Sequence, residues 1–274
     1  MAANRPPDGA EPRIRAAPAL RPRHRVERLR AILKLIDTDS VSAVEDIAAA
    51  LSVSSSTVRR DLAHLAAQGL VLRSHGGAVR VERGYELPIR YREASQTTEK
   101  RRIARAAAEM VGDHAVVGLT GGTTTMEISR ALARRRQLTV VTNALNIGAE
   151  LALLPNIRLV MTGGIARSAS FELSGPAAER TIEDYNIDIA FIGVDGVDPY
   201  AGCTTHNDSE ALTNAAMIRR AAQVVVVADH TKLGQVKFAK ICDLGDLDVL
   251  LTDTAASAEV VEALRARGTE VRLA

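Results

Sequence analysis

The chain has 274 residues, which is enough for two domains, and its formal net charge is only +2. The charge is unevenly spread, because residues 1–80 hold 13 lysines and arginines against 8 acidic residues, whereas residues 81–274 hold 22 against 25. This pattern favours a small basic domain joined to a larger, mildly acidic one. We find no apolar run of ~18 residues and no secretory h-region, and therefore expect neither a membrane span nor an export signal.

The cysteines give no sign of a disulfide framework or a metal site. There are only two, Cys203 and Cys242, and they are far apart in the sequence. His206, Asp208 and Glu210 lie near Cys203 but match no common zinc spacing. A reducing cytoplasm is the simplest setting for such a chain. We therefore expect a cytoplasmic protein without a bound metal and without a cofactor.

The first 36 residues divide into a tail and a helix. Residues 1–24 contain five prolines and five arginines, which is typical of a disordered tail. Such a tail either attracts nucleic-acid phosphate non-specifically or merely keeps the chain soluble. From Arg25 to Ile36, apolar residues recur at helical spacing and predict a first helix.

Residues 42–79 are the most informative part of the chain. Ser42-Ala43-Val44-Glu45 matches a capping box, and a short helix with one apolar side follows it. Ser52-Val53-Ser54 interrupts that helix, and Ser54 is placed to cap the next one. A short helix, a three-residue turn and a second helix in this order are typical of a helix that enters the DNA major groove.

The second helix has two distinct sides. Val58, Leu62 and Leu65 form an apolar stripe, whereas Arg59 and Arg60 point the opposite way. Arginine binds guanine edges or phosphate, although an arginine pair is also common on an ordinary solvated face. The predicted DNA contacts on this helix are Ser54, Ser55, Ser56, Thr57, Arg59, Arg60 and His64.

A basic hairpin follows the second helix. Gly69 ends the helix, and Val71-Leu72-Arg73 and Ala78-Val79-Arg80 flank His75-Gly76-Gly77 as two short strands and a turn. This wing adds Arg73 and His75 to the predicted DNA contacts. We therefore predict a winged helix-turn-helix over residues 25–81 and a polar linker over residues 82–98.

Residues 99–274 predict a single larger α/β domain with a mostly parallel sheet. A helix over 99–111 is followed by short β-branched runs that alternate with alanine-rich helical segments. Apolar strands between helices are typical of a parallel sheet that is covered on both faces. The predicted strands are Ala115–Leu119, Leu138–Thr142, Ile157–Thr162, Asp188–Val194, Gln223–Ala228 and Val249–Thr252.

Small and polar residues follow each predicted strand, at the edge of the sheet where ligands of open α/β folds bind. Gly121-Gly122, followed by three threonines at a helix start, suits phosphate, and Lys232 adds a positive charge. Asp195, Asn207 and Glu210 are candidate partners for hydroxyl groups. Ordinary turn chemistry explains the same glycines and threonines equally well. Dinucleotide-binding and Walker motifs are absent from the sequence.

Two sets of motifs resemble the DeoR family of bacterial transcription regulators over about residues 25–270. T-V-R-R-D-L and H-G-G-A match the spacing of the family's winged helix-turn-helix. The C-terminal part is similar to the family's effector-sensing domain in its motifs G-G-T-T-T, V-V-T-N-A-L, M-T-G-G, G-V-D-G, T-T-H-N-D-S-E and A-D-H-T-K-L-G.

The resemblance implies a sensor domain similar in fold to ribose-5-phosphate isomerase, which senses phosphorylated sugars or related metabolites. It places Thr123, Thr124, Thr125 and Lys232 near phosphate and Thr142, Asn143, Asp195, Asn207 and Glu210 near the sugar, and Gly122 and Gly164 complete the predicted site. One position departs from the pattern. Many members carry Asp-Ser or Asp-Ala where this chain has Thr120-Gly121, so a carboxylate that could bind a sugar hydroxyl is missing there.

These features predict a DNA-binding regulator, a repressor of a carbohydrate-utilisation operon that a phosphorylated sugar releases from double-stranded operator DNA. We expect a homodimer or homotetramer, because one winged domain covers one half-site. The alternative is a sugar-phosphate isomerase-like enzyme with an appended DNA-binding module. Asp195-Gly196-Val197-Asp198 is faintly similar to an acidic isomerase motif, but the Lys-Gly-Gly-Gly-type run is absent and Pro199 follows. We predict no enzymatic turnover.

Overall fold

A computed structural model describes residues 25–36, 42–74, 76–80, 88–92, 95–135 and 137–274. The chain divides into two compact units, Met1–Arg83 and Gly84–Ala274. The predicted tail, His75 and part of the predicted linker lie outside the described residues. Among the helices that the structure describes, none is long and apolar enough to cross a membrane.

The first unit is a winged helix-turn-helix. Aliphatic side chains of its three helices, such as Ile32, Ile47 and Leu62, are buried together, and the strands form a small antiparallel sheet in the order β1-β3-β2. The predicted helices, turn and hairpin of this unit are therefore confirmed. Its elements are α1 (Arg25–Leu35), β1 (Ser42–Ala43), α2 (Val44–Leu51), α3 (Ser55–Ala67), β2 (Val71–Ser74) and β3 (Gly77–Arg80).

The capping box predicted at Ser42 is wrong. Ser42 lies in β1, where it pairs with Ala78 of the wing, and the residue before α2 is Ala43, which makes no side-chain cap. The first turn of α2 is satisfied instead by the wing, because the Val44 amide donates to the Gly76 carbonyl at 2.9 Å. A carbonyl group of the hairpin thus accepts from an amide at the start of α2, where the sequence pattern had predicted a serine side chain as the acceptor.

A buried ion pair joins α1 to α3. The Asp61 side chain is only 3% exposed, and Arg28 Nε lies 2.5 Å from its Oδ2. Arg25 approaches the same carboxylate at 3.7 Å. Asp61 stands beside Leu62 on the inner side of α3, so α1 supplies the cations that allow a carboxylate there.

The second unit is built around a parallel sheet. Its elements are α4 (Ile89–Arg92), α5 (Thr97–Glu109), β4 (Val116–Leu119), α6 (Thr123–Leu132), β5 (Leu138–Thr142), α7 (Leu145–Leu151), β6 (Ile157–Met161), β7 (Ile165–Arg167), β8 (Glu172–Ser174), α8 (Pro176–Glu183), β9 (Ile187–Gly193), β10 (Gly196–Asp198), β11 (Gly202–Thr205), α9 (Asp208–Arg220), β12 (Ala221–Val227), β13 (Ala239–Cys242), β14 (Val249–Thr252), α10 (Ala258–Arg265) and β15 (Glu270–Leu273).

Described residues form a seven-stranded sheet in the order β15-β14-β12-β9-β4-β5-β6, with every pairing parallel. A separate apolar core covers each face, as the run of buried strands predicts. All six predicted strands are present. The seventh, β15, was not predicted because only Val271 of its four residues is buried, as expected of an edge strand.

The sheet order reverses between β4 and β9. The chain runs outward from β4 to β5 and β6, and then crosses to β9 on the other side of β4. In open α/β sheets such a switch point opens a crevice at the carboxyl ends of the strands. Two smaller sheets follow strands of the large sheet in the chain. The sheet β7-β8 follows β6, and in the sheet β10-β11-β13 the first two strands follow β9 and the third follows β12.

The described part of the predicted linker over residues 82–98 contains a short helix. Residues Ile89–Arg92 form the short helix α4, whose Ile89 and Tyr91 side chains are almost fully buried in the second unit. The Ile89 amide donates to the Ala169 carbonyl at 2.7 Å. Alternating apolar and charged residues over four positions give too short a pattern to predict this helix.

Candidate functional site

The outer face of α3 presents polar groups without burying them. Ser54 caps the helix, and its hydroxyl accepts from the Thr57 amide at 3.3 Å. Ser56, Arg59 and Arg60 are exposed, together with Ala63 and Ala67, while Val58, Leu62 and Leu65 face the core. This helix can therefore approach a groove with two guanidinium groups and no bulky side chain behind them.

The two arginines of α3 are held only weakly. Arg59, 58% exposed, lies 3.2 Å from Glu45 of α2, and an exposed pair of this kind contributes little stability. Arg60 reaches back to the Ser56 carbonyl at 3.4 Å. Phosphate or a base edge can replace such partners at low cost, so both side chains are available to a nucleic acid.

The other predicted DNA contacts differ in their surroundings. Ser55 and Thr57 are half-buried in the first turn of α3. The ring of His64 is half-buried and lies 2.8 Å from the Gln68 amide, so it runs along the helix. Arg73 is exposed on β2 of the wing. His75 lies outside the described residues.

The loop between β4 and α6 forms the first half of the crevice in the second unit. Gly122 precedes α6 with a φ of +136°, a conformation that only glycine adopts readily. The Thr125 hydroxyl donates to the Gly122 carbonyl at 3.0 Å, and Thr124 is buried while Thr123 is partly exposed. Amides of the first turn of a helix have no partner within the helix, which makes this end suitable for an anion.

Asp195, after β9, holds two cations at the switch point. Arg92 Nη1 lies 2.9 Å and Lys232 Nζ 3.3 Å from the same Oδ1, and the Thr205 hydroxyl donates to Oδ2 at 3.0 Å. Burial acts to raise the pKa of Asp195, but Arg92 and Lys232 outweigh it and lower that pKa to about 2. The low pKa indicates that Asp195 is ionised and binds both cations through the same oxygen.

A second buried carboxyl group is that of Glu172 in β8. Asn143 Nδ2 donates to its Oε2 at 3.0 Å. Burial, followed by the nearby Glu210 carboxylate, raises the pKa of Glu172 to about 8. Glu210 itself is bound by Arg167 at 3.0 Å and by the Ser170 hydroxyl. This raised pKa leaves Glu172 largely protonated near neutral pH, which allows it to donate a hydrogen bond.

The pair Thr120-Gly121 has a structural reason. The Thr120 hydroxyl accepts from the Gly193 amide at 2.9 Å and so joins β4 to β9. A Cβ at Gly121 would lie 2.2 Å from Cγ of Glu172, so that side chain occupies the space a larger residue would need. Glu172 thus fills the space of a side chain at position 121, whereas the carboxylate of the family pattern would stand at position 120, where the Thr120 hydroxyl binds Gly193.

The structure brings only some of the predicted effector residues into this network. Asn143, Asp195, Glu210 and Lys232 belong to it. The Thr142 hydroxyl is used to link strands, because it donates to the Leu119 carbonyl at 2.6 Å and accepts from the Ala144 amide at 3.1 Å.

Asn207 and Gly164 support the backbone near the same crevice. The Asn207 side-chain oxygen caps α9 by accepting from the Glu210 amide at 3.1 Å. Gly164 has a φ of +115°, and a Cβ there would lie 2.7 Å from the Ser174 carbonyl oxygen. The predicted ligand contacts of these residues and of Thr142 stay predictions.

Five polar residues of the network were not predicted. A charged residue next to a buried apolar one was the available signal for two of them, since Arg92 follows Tyr91 and Glu172 precedes Leu173. Within the described part of the chain, no group of three or more His, Cys, Asp or Glu residues is arranged to hold a metal ion. The unpredicted residues are Arg92, Arg167, Ser170, Glu172 and Thr205.

Family models match both units of the chain. The DeoR-like helix-turn-helix domain matches residues 28–83, and the DeoR C terminal sensor domain matches residues 95–254. This chain belongs to the DeoR family. The resemblance seen in its motifs is confirmed, and with it a DNA-binding transcription regulator of α/β fold.

Relatives within the DeoR family extend over almost the whole chain. The HTH-type transcriptional regulator GlpR of Haloferax volcanii is 37% identical over 89% of this chain and 96% of its own. The glycerol-3-phosphate regulon repressor of Escherichia coli K12 is 31% identical over 87% of this chain and 94% of its own. A solved ribose 5-phosphate isomerase A from Methanocaldococcus jannaschii matches 50% of this chain and 55% of its own, at 21% identity and a TM-score of 0.39.

Proposed function

We propose that this DeoR-family member represses a carbohydrate-utilisation operon and leaves its operator when a phosphorylated sugar binds the crevice of the second unit. Family membership and the exposed arginine face of α3 support DNA binding. A relative of this length that is named a repressor of a glycerol-3-phosphate regulon supports a phosphorylated carbon compound as the signal.

In this proposal α3 lies in the major groove of double-stranded operator DNA. Arg59 and Arg60 contact base edges or phosphates, Ser54–Thr57 and His64 contact the backbone, and the wing adds Arg73 and His75. One such unit covers a single half-site, so the protein acts as a homodimer or homotetramer. A cytoplasmic location follows from a target that is genomic DNA.

The effector phosphate is placed at the amides of Gly122–Thr125 and at Lys232. The residues that surround the sugar in this proposal are Asn143, Asp195, Glu210, Asn207, Thr142 and Gly164. Release then requires the effector to prefer the conformation that fits the operator poorly, since a ligand shifts an equilibrium only by its differential affinity.

We further propose that the crevice binds sugar phosphates without converting them. The relatives are named transcription regulators, which supports this role, and the Asp195 carboxylate is ion-paired at 2.9 Å and 3.3 Å instead of being free to accept a substrate proton. Incubation with ribose 5-phosphate is expected to give no isomerised product. Isomerisation in proportion to enzyme concentration would contradict the proposal.

The proposal is tested on DNA that the protein itself selects from fragments of its genome of origin. Gel shifts on a selected fragment are then repeated with a panel of phosphorylated sugars and their unphosphorylated counterparts. We expect a palindromic site and release by one phosphorylated compound only. If every protein–DNA complex persisted across the panel, release by a sugar phosphate would be contradicted. If the protein selected no particular sequence, operator binding itself would be contradicted.

A further inference from the structure

The short helix α4 links the crevice to the segment that leads to the DNA-reading unit. Only residues 84–88 separate Arg83, the last residue of the first unit, from Ile89, the first residue of α4. The side chains of Ile89 and Tyr91 are 0% and 1% exposed, so α4 is anchored in the second unit. Within the described residues, α4 is thus the element of the second unit that lies nearest in sequence to the first unit.

The C-terminal end of α4 is fastened by a buried lysine. Lys100 is 3% exposed, and its Nζ donates to the Arg92 carbonyl at 3.1 Å and to the Ser95 carbonyl at 2.6 Å. These bonds fix the backbone of Arg92 while its side chain reaches forward to Asp195. The position of the guanidinium group is thus defined from both ends.

The same helix touches the crevice on two sides. Arg92 binds Asp195 at 2.9 Å, and the Ile89 amide binds Ala169, which precedes Ser170 of the Glu172 and Glu210 network. A ligand that displaces Asp195 from Arg92 therefore breaks a direct contact of α4, and one that moves residues 169–170 reaches the other end of the helix. The helix is therefore placed to respond to occupancy.

The charged side chains beside α4 indicate which kind of ligand would disturb the helix. Arg92, 19% exposed, and Lys232, 26% exposed, share one carboxylate oxygen of Asp195. An added anion with several oxygens can therefore compete with Asp195 for both cations, since opposite charges attract strongly at these distances. Guanidinium is also the side chain best suited to bind phosphate through two parallel hydrogen bonds.

We propose that Asp195 is an internal anion that holds Arg92 and Lys232 until the effector binds, and that the phosphate of the effector competes with Asp195 for both. Arg92 is then an effector-binding residue, and its transfer from Asp195 to phosphate moves α4 and the connection to the DNA-reading unit. This inference rests on the proposed function and adds a residue and a route of coupling to it.

The test uses the full chain and two probes, inorganic phosphate and glycerol 3-phosphate, with binding measured by titration calorimetry. Arg92→Gln is expected to weaken both probes at least tenfold. Arg90→Gln is the matched control, because Arg90 lies on the same helix but stacks on Tyr91 at 5.0 Å. The control should bind both probes within twofold of the wild type.

Asp195→Asn distinguishes competition from a general loss of structure. Removing the competing charge is expected to tighten inorganic phosphate at least threefold, a change opposite in direction to that of Arg92→Gln. Wild-type phosphate affinity in Arg92→Gln, or weaker phosphate binding in Asp195→Asn, would overturn the inference. Neither result would contradict the proposed function as a DNA-binding regulator. If the wild-type protein binds no phosphorylated compound in calorimetry and none releases DNA, the inference and the proposed effector fail together.

Discussion

The two units of the molecule present their candidate functional groups in opposite ways. On α3 of the first unit, Ser56, Arg59 and Arg60 stand exposed above an apolar core. In the crevice of the second unit, Asp195 and Glu172 are buried and bound by groups from several elements. A surface that binds a charged partner keeps its cations exposed to solvent. A pocket that must stay folded before its ligand binds has to pair its buried charges with one another.

The largest expected effect concerns Asp61, the buried acidic residue that joins α1 to α3 in the first unit. Asp61→Ala removes the partner of Arg28, whose Nε lies 2.5 Å away, and should lower the free energy of unfolding by about 3 kcal/mol. Urea unfolding of the wild type and of the single variant, monitored by circular dichroism, measures this loss. A loss below about 1 kcal/mol would mean that α1 is held to α3 by apolar contacts alone.

Gly121→Ala tests the packing of the crevice. The added Cβ would lie 2.2 Å from Cγ of buried Glu172, so this residue must move, and a loss of about 2 kcal/mol is expected. In a Glu172→Ala background the space is free, and the same substitution should cost much less. Equal losses in the two backgrounds would show that Glu172 does not fill the space beside Gly121.

The pH dependence of stability tests the buried acid. Burial raises the pKa of Glu172 from 4.5 to about 8, so the folded state retains a proton that the unfolded state has lost. Its contribution is complete below about pH 4.5 and is lost as the pH rises towards about 8. Glu172→Gln should therefore lose less stability than the wild type between these limits, by on the order of 1–3 kcal/mol.

Denaturant unfolding of both proteins at about pH 5.5 and about pH 8 measures this difference. The low pKa of Asp195, about 2, acts in the opposite direction and outside that interval, because its contribution is lost only as the pH falls below about 3.8. Parallel pH profiles for the wild type and Glu172→Gln would contradict a raised pKa.

The smallest expected effect concerns the exposed pair between Glu45 and Arg59. Glu45→Gln should change the free energy of unfolding by less than about 0.5 kcal/mol, since both side chains are more than half exposed. It should also tighten operator binding slightly, because a negative charge beside the DNA is removed. Weaker binding of the variant at low salt would show that Glu45 positions Arg59 for contact.

Periodicity was sufficient to predict the first unit and the frame of the second. Helical spacing identified α3 and its outer face, and runs of buried β-branched residues identified six strands of the sheet. The Ser42 cap was predicted wrongly because the competing partner, the Gly76 carbonyl, comes from a hairpin far along the chain. Local pattern contains no information about such a contact.

The network of the crevice was only partly predictable for the same physical reason. Asp195 and Lys232 follow predicted strands, so their convergence could be expected from the rule for strand ends. Arg92 lies in a four-residue helix and Glu172 in a three-residue strand, both too short for a periodic signal. Their place in the site depends on tertiary packing alone.

The central claim is that DNA reading and effector sensing are separate functions of the two units, and a crossed experiment on Arg60→Ala and Lys232→Ala tests it most directly. Operator affinity is measured by fluorescence anisotropy with and without the releasing sugar phosphate. Arg60→Ala should lose ~1–3 kcal/mol of operator affinity and keep effector binding, whereas Lys232→Ala should bind operator normally and no longer be released. Wild-type operator affinity in Arg60→Ala, or release of Lys232→Ala at the wild-type effector concentration, would contradict the account.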